Sequence, residues 1–174
     1  MENVNESIIN TVNDIEKFLG KRSLLIEKVL RDDETDTFPT EAKEWIDQGI
    51  LKYISMQEHG GHFTGLSDLF WLSRLVAKRN LTSAIALGQT FLGTLPIYIA
   101  GDDYLKKLAS QRLQEGGLSC LALTEENHGS DIASTETYYD QEKLTGQKWC
   151  INNATIGKTQ SVIVQTKNGL SFLF

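Results

Sequence analysis

Apolar residues recur at helical spacing from the first turns of the chain. Val4, Ile8, Val12, Ile15 and Leu19 fall on one face, and Gly20 stops the helix they predict. A second apolar cluster, Leu24, Leu25, Val29 and Leu30, extends that helix or begins another, and RDDETDT reads as a solvated acidic linker. Pro39 stands where a helix start tolerates proline, ahead of an apolar face formed by Ala42, Trp45, Ile46 and Ile50, with Gly49 at the frayed end. Ile50 to Ile54 is short and apolar, and QEHGG after it is a turn. The spacing then predicts a helix over 66–79, with Leu69, Leu72, Leu75 and Val76 facing inward and Asn80 closing it. An uncharged helix follows, capped by Thr82 or Ser83, and Pro96 is expected to kink or break it. Asp102 or Asp103 caps the next helix, YLKKLASQRLQ, which ends at Gly116 and Gly117.

Beyond Gly117 the period changes. Leu118 to Leu123 alternates too little for a half-exposed strand and suits a buried one. Thr135 to Tyr139, Gln147 to Ile151 and Ser161 to Gln165 are rich in strand-forming residues, with turn residues between them. Lys167-Asn168-Gly169-Leu170 carries a hairpin signal, and Leu170 to Phe174 is a last apolar strand. The helical two-thirds and the strand-rich remainder divide at Gly116 and Gly117.

At 174 residues the chain can bury one good core, or one domain plus part of another. A net charge of −6 without any basic run argues against nucleic acid or an anionic membrane as partner. Cys120 and Cys150 are too few and too far apart for a zinc site or a disulfide framework, so a reducing, cytoplasmic setting is expected. The N-terminus carries no basic segment followed by an apolar core, so it does not read as a secretory signal. Leu81 to Gly101 holds no charge and is long enough to span a membrane, yet its threonines, Gln89, glycines and Pro96 favour a core helix. His59 and His62 in a glycine turn, with no third ligand near in sequence, read as loop residues, and no metal is expected.

The chemistry concentrates in LSCLALTEENHGSD, Leu118 to Asp131. A buried strand that runs into a loop of small, hydroxylated residues can hold a flat cofactor with polar edges. Gly129 lets a ligand approach the backbone closely, and the amide and hydroxyl of Ser130 can donate to a phosphate.

LALTEENHGSD resembles the flavin-binding signature of the acyl-CoA dehydrogenase family, and GQKWCINN, Gly146 to Asn153, resembles the family's second flavin segment. The resemblance continues upstream through FPTEAKEW, QEHGG and LGTLPIYIAGDDYLKKLAS, so it covers nearly the whole chain. It implies an α+β fold: an all-α helical N-terminal domain over residues 1–117, then part of the middle β-domain over 118–174 as an incomplete antiparallel β-barrel-like unit. It implies FAD as cofactor and an acyl-CoA or acyl-carrier-protein thioester as substrate. The backbones of Leu121, Leu123 and Thr124, with the Thr124 hydroxyl, are assigned to the pyrimidine edge of the flavin. Gly129 and Ser130 are assigned to the pyrophosphate, and Cys150, Ile151 and Asn152 to the flavin's other face and N5. Ser130 also lies beside the substrate in this reading, and Gln89, Thr90 and Leu92 fall where the family lines its acyl pocket.

Three positions depart from the family pattern. Glu126 stands where a proline is usual, Cys150 where a large aromatic is usual, and Asn152 where a threonine is usual, although its amide can still donate to N5. The family's catalytic base is a glutamate on a C-terminal helical domain that this sequence does not contain. Glu125 and Glu126 read as loop-forming, so no catalytic residue is assigned here. The expectation is an acyl-CoA dehydrogenase-like oxidoreductase in truncated or split form, inactive alone, acting with a C-terminal helical partner chain or as a homo-oligomer. A related flavin oxidase, monooxygenase or acyl-carrier-protein dehydrogenase is the alternative, and a non-catalytic interaction module the third.

Overall fold

The computed structural model describes residues 2–19 and 38–174. The stop at Gly20, the apolar cluster Leu24 to Leu30 and the acidic linker lie outside the described residues. The helices are α1 (Glu2–Leu19), α2 (Thr40–Asp47), α3 (Leu66–Ala77), α4 (Leu81–Ala100) and α5 (Asp103–Gln114). The strands are β1 (Ser119–Ala122), β2 (Tyr138–Asp140), β3 (Lys143–Thr145), β4 (Thr159–Thr166) and β5 (Gly169–Leu173). Short 3₁₀ turns occupy Ile50–Ile54, Gln57–His59 and Ile132–Ser134.

The chain packs as two compact units. One unit is Met1–Gly88 with Leu113–Gly116; the other is Gln89–Arg112 with Gly117–Phe174. The second half of α4 and nearly all of α5 therefore group with the strands.

In the first unit α1 packs on α3, and the buried residues include Ile15, Leu19, Trp45, Ile54, Leu72, Leu75 and Val76. Leu69, expected inside, is half-buried, whereas Asp68 is buried because its carboxylate accepts from the amide and hydroxyl of Thr64 at 2.7 and 2.8 Å. Pro39 precedes α2 as expected, and Gly49 takes the left-handed conformation (φ +93°) just beyond its end. In the QEHGG turn, Gln114 donates to the Ser55 hydroxyl and the His59 carbonyl, while the His62 ring stacks on Tyr53 at 5.3 Å. The cap of α4 is neither Thr82 nor Ser83. Asn80, expected to close α3, accepts from the Ser83 amide at 2.8 Å, because a side-chain carbonyl three residues back reaches that free N–H.

In the second unit Pro96, expected to kink or break the helix, does not end it, and α4 runs to Ala100. Two residues before the proline, the Thr94 hydroxyl donates to the carbonyls of Phe91 and Thr90. Asp102 caps α5 as expected, accepting from the Leu105 amide at 2.8 Å. The five strands form one mixed sheet that does not close into a barrel. β1 pairs with β4 in parallel from Ser119↔Thr159 to Ala122↔Val162, and β2 joins β4 in parallel at Tyr138↔Gln165. Only β2–β3 and β4–β5 are antiparallel, so the expected antiparallel, barrel-like arrangement gives way to parallel pairing at the centre. The hairpin signal did mark the β4–β5 turn, with Thr166 opposite Gly169 and the positive φ taken by Gly169 (+102°). Gln147 to Ile151 is not a strand. It joins no strand, and Cys150 turns left-handed (φ +53°).

α4 is the one described helix long and apolar enough to cross a membrane, and it uses its second half to cover the sheet. Gly93 makes this contact feasible. A Cβ there would meet the Cys120 backbone at 2.7 Å, and the Gly93 carbonyl accepts from the Ser161 hydroxyl on β4. Replacing Gly93 by Ala is expected to destabilise the protein by about 1–3 kcal/mol, because neither backbone can retreat. Gly88→Ala, where nothing lies within 4 Å, should instead stabilise by up to about 1 kcal/mol. Urea unfolding of the two variants beside the parent checks both signs.

Candidate functional site

Glu125, three residues past the end of β1, is 6% exposed and is the buried centre of the region. Its carboxylate accepts from Lys148 Nζ at 2.8 Å, from the amides of Glu136 and Thr137 at 2.7 and 2.9 Å, and from the hydroxyls of Thr135 and Thr137. Burial alone pushes the carboxyl up, but the bonds from Lys148, Thr135, Thr137 and the Glu136 amide outweigh it. Together they hold Glu125 well below the usual carboxylate range. Lys148 also donates to the Leu123 carbonyl at 3.1 Å and to the Thr135 hydroxyl. Gly146 lets the second segment cross this knot, since a Cβ there would lie 2.6 Å from Thr137 Cα.

Backbone bonds fasten the two glycine-bearing segments side by side. The Trp149 amide donates to the Thr124 carbonyl at 2.8 Å, and Glu125 and His128 exchange reciprocal bonds at 3.2 Å that shape the loop. Asn153, in a left-handed conformation that asparagine tolerates, donates to the Ser119 carbonyl at 3.1 Å and the Thr90 hydroxyl at 3.2 Å. The second segment is thereby anchored at both ends, through Lys148 and through Asn153.

Each residue singled out from the sequence has a definite place. Leu121, Leu123, Thr124 and Ile151 are half-buried, and Gly129, Ser130, Cys150 and Asn152 are exposed. A Cβ added at Gly129 would meet nothing within 4 Å, so the backbone there is open to an approaching group. Leu92 shares with Leu121 a mostly apolar cleft of about 660 Å³ between α4 and β5. Gln89 is half-buried on α4. Thr90 is fully buried, and its hydroxyl accepts from the Ser119 amide and from Asn153, so it ties α4 to β1. Cys120 is fully buried, and burial pushes its thiol up, leaving it a packing residue.

Sequence reasoning passed over Lys148, Thr135, Thr137 and Asn153, which hold the site together. Lys148 lay inside a quoted motif, but nothing local shows that its partner is Glu125. Behind the loop a polar cleft of about 450 Å³ is lined by Glu125–His128, Glu136, Tyr138 and Thr145–Gln147. His128 and Glu136 meet there at 3.2 Å. Glu125, the third group near them, already serves Lys148 and the threonines, so it is not available as a metal ligand.

No protein-family model matches this chain. Over 96% of its length it superposes on a chain from the Acidaminococcus fermentans electron transferring flavoprotein study at TM-score 0.79 and 22% identity, covering 47% of that chain. It superposes on butyryl-CoA dehydrogenase from Megasphaera elsdenii at TM-score 0.73 and 24% identity, over 91% of this chain and 44% of that one. The fold is thus of the acyl-CoA dehydrogenase type. In sequence, the probable acyl-CoA dehydrogenase FadE25 of Mycobacterium tuberculosis is 28% identical over 124 residues, 70% of this chain and 31% of that protein. In sequence the chain is similar to acyl-CoA dehydrogenases, and it spans about a third of the length of the curated relatives it matches.

Breaking the buried pair should be costly. Glu125→Gln strands the Lys148 ammonium at 8% exposure and is expected to destabilise by about 3–5 kcal/mol. Glu125→Gln combined with Lys148→Met should recover part of that loss, as a double-mutant unfolding cycle will show. The pH dependence has a fixed sign. Glu125 has a lowered folded-state pKa, so its contribution is fully present above the ordinary value of 4.5 and is lost as pH falls below it. Unfolding curves across that range should be flatter for the double variant than for the parent.

Proposed function

We propose that this chain carries the flavin-facing part of an acyl-CoA dehydrogenase-type site, binding FAD and an acyl thioester. One observation carries the reading: the two segments are locked side by side by Glu125–Lys148 and by the Trp149–Thr124 bond. Of their remaining donors, those on Ser130 and Asn152 are exposed and that on Thr124 is half-buried.

The donor set suits a flavin nucleotide. The Leu123 and Thr124 carbonyls are already accepting bonds within the protein, so contacts to a ring edge would come from amides and the Thr124 hydroxyl. Ser130 and the bare Gly129 backbone suit pyrophosphate oxygens, where a Cβ would stand in the way. Leu121 and Ile151 offer apolar surface, the Asn152 amide can donate toward N5, and Cys150 presents a smaller side chain than an aromatic. When bound, the flavin accepts the hydride that leaves the acyl chain. Ser130, Gln89 and Leu92 are assigned to orienting the thioester substrate.

The proton must go elsewhere. Glu125 cannot take it, because it is buried, ion-paired and held ionised by five donors. Glu126 is exposed beside the polar cleft, next to the ring-facing strand end rather than across from it. The base is therefore assigned to polypeptide beyond these residues, in a partner chain or another segment. A carrier-protein substrate is the second reading, supported by the likeness to the prolyl acyl carrier protein oxidase AnaB at TM-score 0.76 and 20% identity.

FAD titration followed by flavin fluorescence tests the cofactor assignment. The chain should bind weakly but saturably, and Gly129→Val, which the fold accommodates, should weaken binding by about tenfold or more. Equal affinity in parent and variant, or no saturable binding, overturns the assignment. With excess FAD and an artificial acceptor, the chain alone is expected to dehydrogenate no acyl-CoA. Turnover that disappears in Glu126→Gln would place the base in this loop after all.

A further inference from the structure

Lys148 holds more than its carboxylate. Its ammonium, 8% exposed, donates to Glu125, to the Thr135 hydroxyl and to the Leu123 carbonyl, the last at 3.1 Å. Only the bond to Leu123 leaves the knot and touches the strand end. The Leu123 carbonyl shares a peptide group with the Thr124 N–H, and that peptide is trans. In a planar trans peptide the C=O and the N–H point in opposite directions. Turning the Leu123 carbonyl inward on Lys148 therefore turns the Thr124 N–H outward, away from the knot.

The next peptide is held as well. The Thr124 carbonyl accepts from the Trp149 amide at 2.8 Å, and the Glu125 N–H at its other end donates to the His128 carbonyl at 3.2 Å. On these two consecutive peptides one polar group is left over, the Thr124 N–H. Among the described residues neither it nor the Thr124 hydroxyl donates to a protein acceptor. An ammonium on the Leu123 carbonyl also draws electron density through the amide, which strengthens the Thr124 N–H as a donor, as bonds in a chain polarise one another.

We infer that Lys148 is a positioning residue for the cofactor: through the Leu123 carbonyl it aims the Thr124 N–H at the acceptor edge of the flavin and so favours the reduced flavin over the oxidised. The inference rests on the flavin assignment made above and adds to it a residue that sets the redox balance without touching the ring. Reduction by two electrons with uptake of one proton places N–H at N5 and leaves negative charge over N1 and the C2 carbonyl. A donor fixed in advance gains most where charge develops, because a hydrogen bond to an ionised acceptor is roughly twice as strong as one to a neutral acceptor. The Lys148–Glu125 pair carries no net charge, so the preference comes from the directed N–H and not from a free cation.

Anaerobic titration of the full chain with FAD, oxidised and after reduction by dithionite, tests the inference. The parent should bind reduced FAD about tenfold tighter than oxidised FAD, an upward shift of about 30 mV for a two-electron couple. The double variant Glu125→Gln with Lys148→Met loses the bond to Leu123 yet keeps the net charge. It should bind the two forms within about twofold of each other. A role in folding alone would weaken both forms by the same factor and leave their ratio unmoved. Amide NMR on the parent gives a readout that needs no variant and decides the matter even where the double variant fails to fold. The Thr124 N–H resonance should shift as FAD binds and shift further on reduction, while the Glu125 N–H, already bonded to His128, should move little. A parent without preference, a double variant with the parent's ratio, or a Thr124 resonance unmoved at flavin saturation overturns the inference and leaves the flavin assignment standing. A parent that binds no FAD saturably overturns both.

Discussion

A carboxylate taken out of water has to be neutralised where it sits, and Glu125 is neutralised by an ammonium from a segment 23 residues further along the chain. That requirement organises the strand-bearing unit. Lys148 has to reach inward, so its backbone must lie along the end of β1, and Trp149 then bonds to Thr124. Thr135, Glu136 and Thr137 must arrive from a third direction to fill the remaining lone pairs, which brings the chain to the start of β2. Three stretches far apart in sequence meet at one side chain. The surface they jointly present could not exist without it.

The packing of α4 obeys a similar constraint, imposed by sterics rather than charge. The missing side chain at Gly93 lets the helix backbone meet the β1 backbone, and the Ser161 hydroxyl secures the contact from β4. One turn earlier Thr90 bridges Ser119 and Asn153, so the same helix face anchors the first strand and the end of the second glycine-bearing segment. Small and hydroxylated residues suit this face because each replaces bulk with either close approach or a hydrogen bond. Thr90 is part of this joint. Leu92, two positions on, remains at the surface beside Leu121.

Much of the architecture was legible in the sequence, because it is written locally. The 3.6-residue period of the apolar positions located the described helices, Pro39 and Asp102 announced two of their starts, and the shift in pattern after Gly117 announced the strands. Asn168-Gly169 marked the one tight hairpin it was read to mark. The glycine-bearing segments were visible as motifs, since a bare backbone beside hydroxyls has few other uses.

What only the tertiary structure decided concerns pairings between distant residues. Nothing in the neighbourhood of Ser119 says that it lies beside Thr159 in parallel, so an antiparallel sheet was the natural expectation where the sheet is mixed. Gln147 to Ile151 has strand-forming residues, yet Lys148 and Asn153 are claimed by Glu125 and Ser119, and Cys150 between them turns left-handed. Asn80 could close one helix or open the next, and only the position of the Ser83 amide chose between them. Local pattern determines which residues form helices, strands and turns. Which strands meet, and which carboxylate finds which ammonium, depends on closing long loops around a shared core, and that is settled only when the whole unit folds.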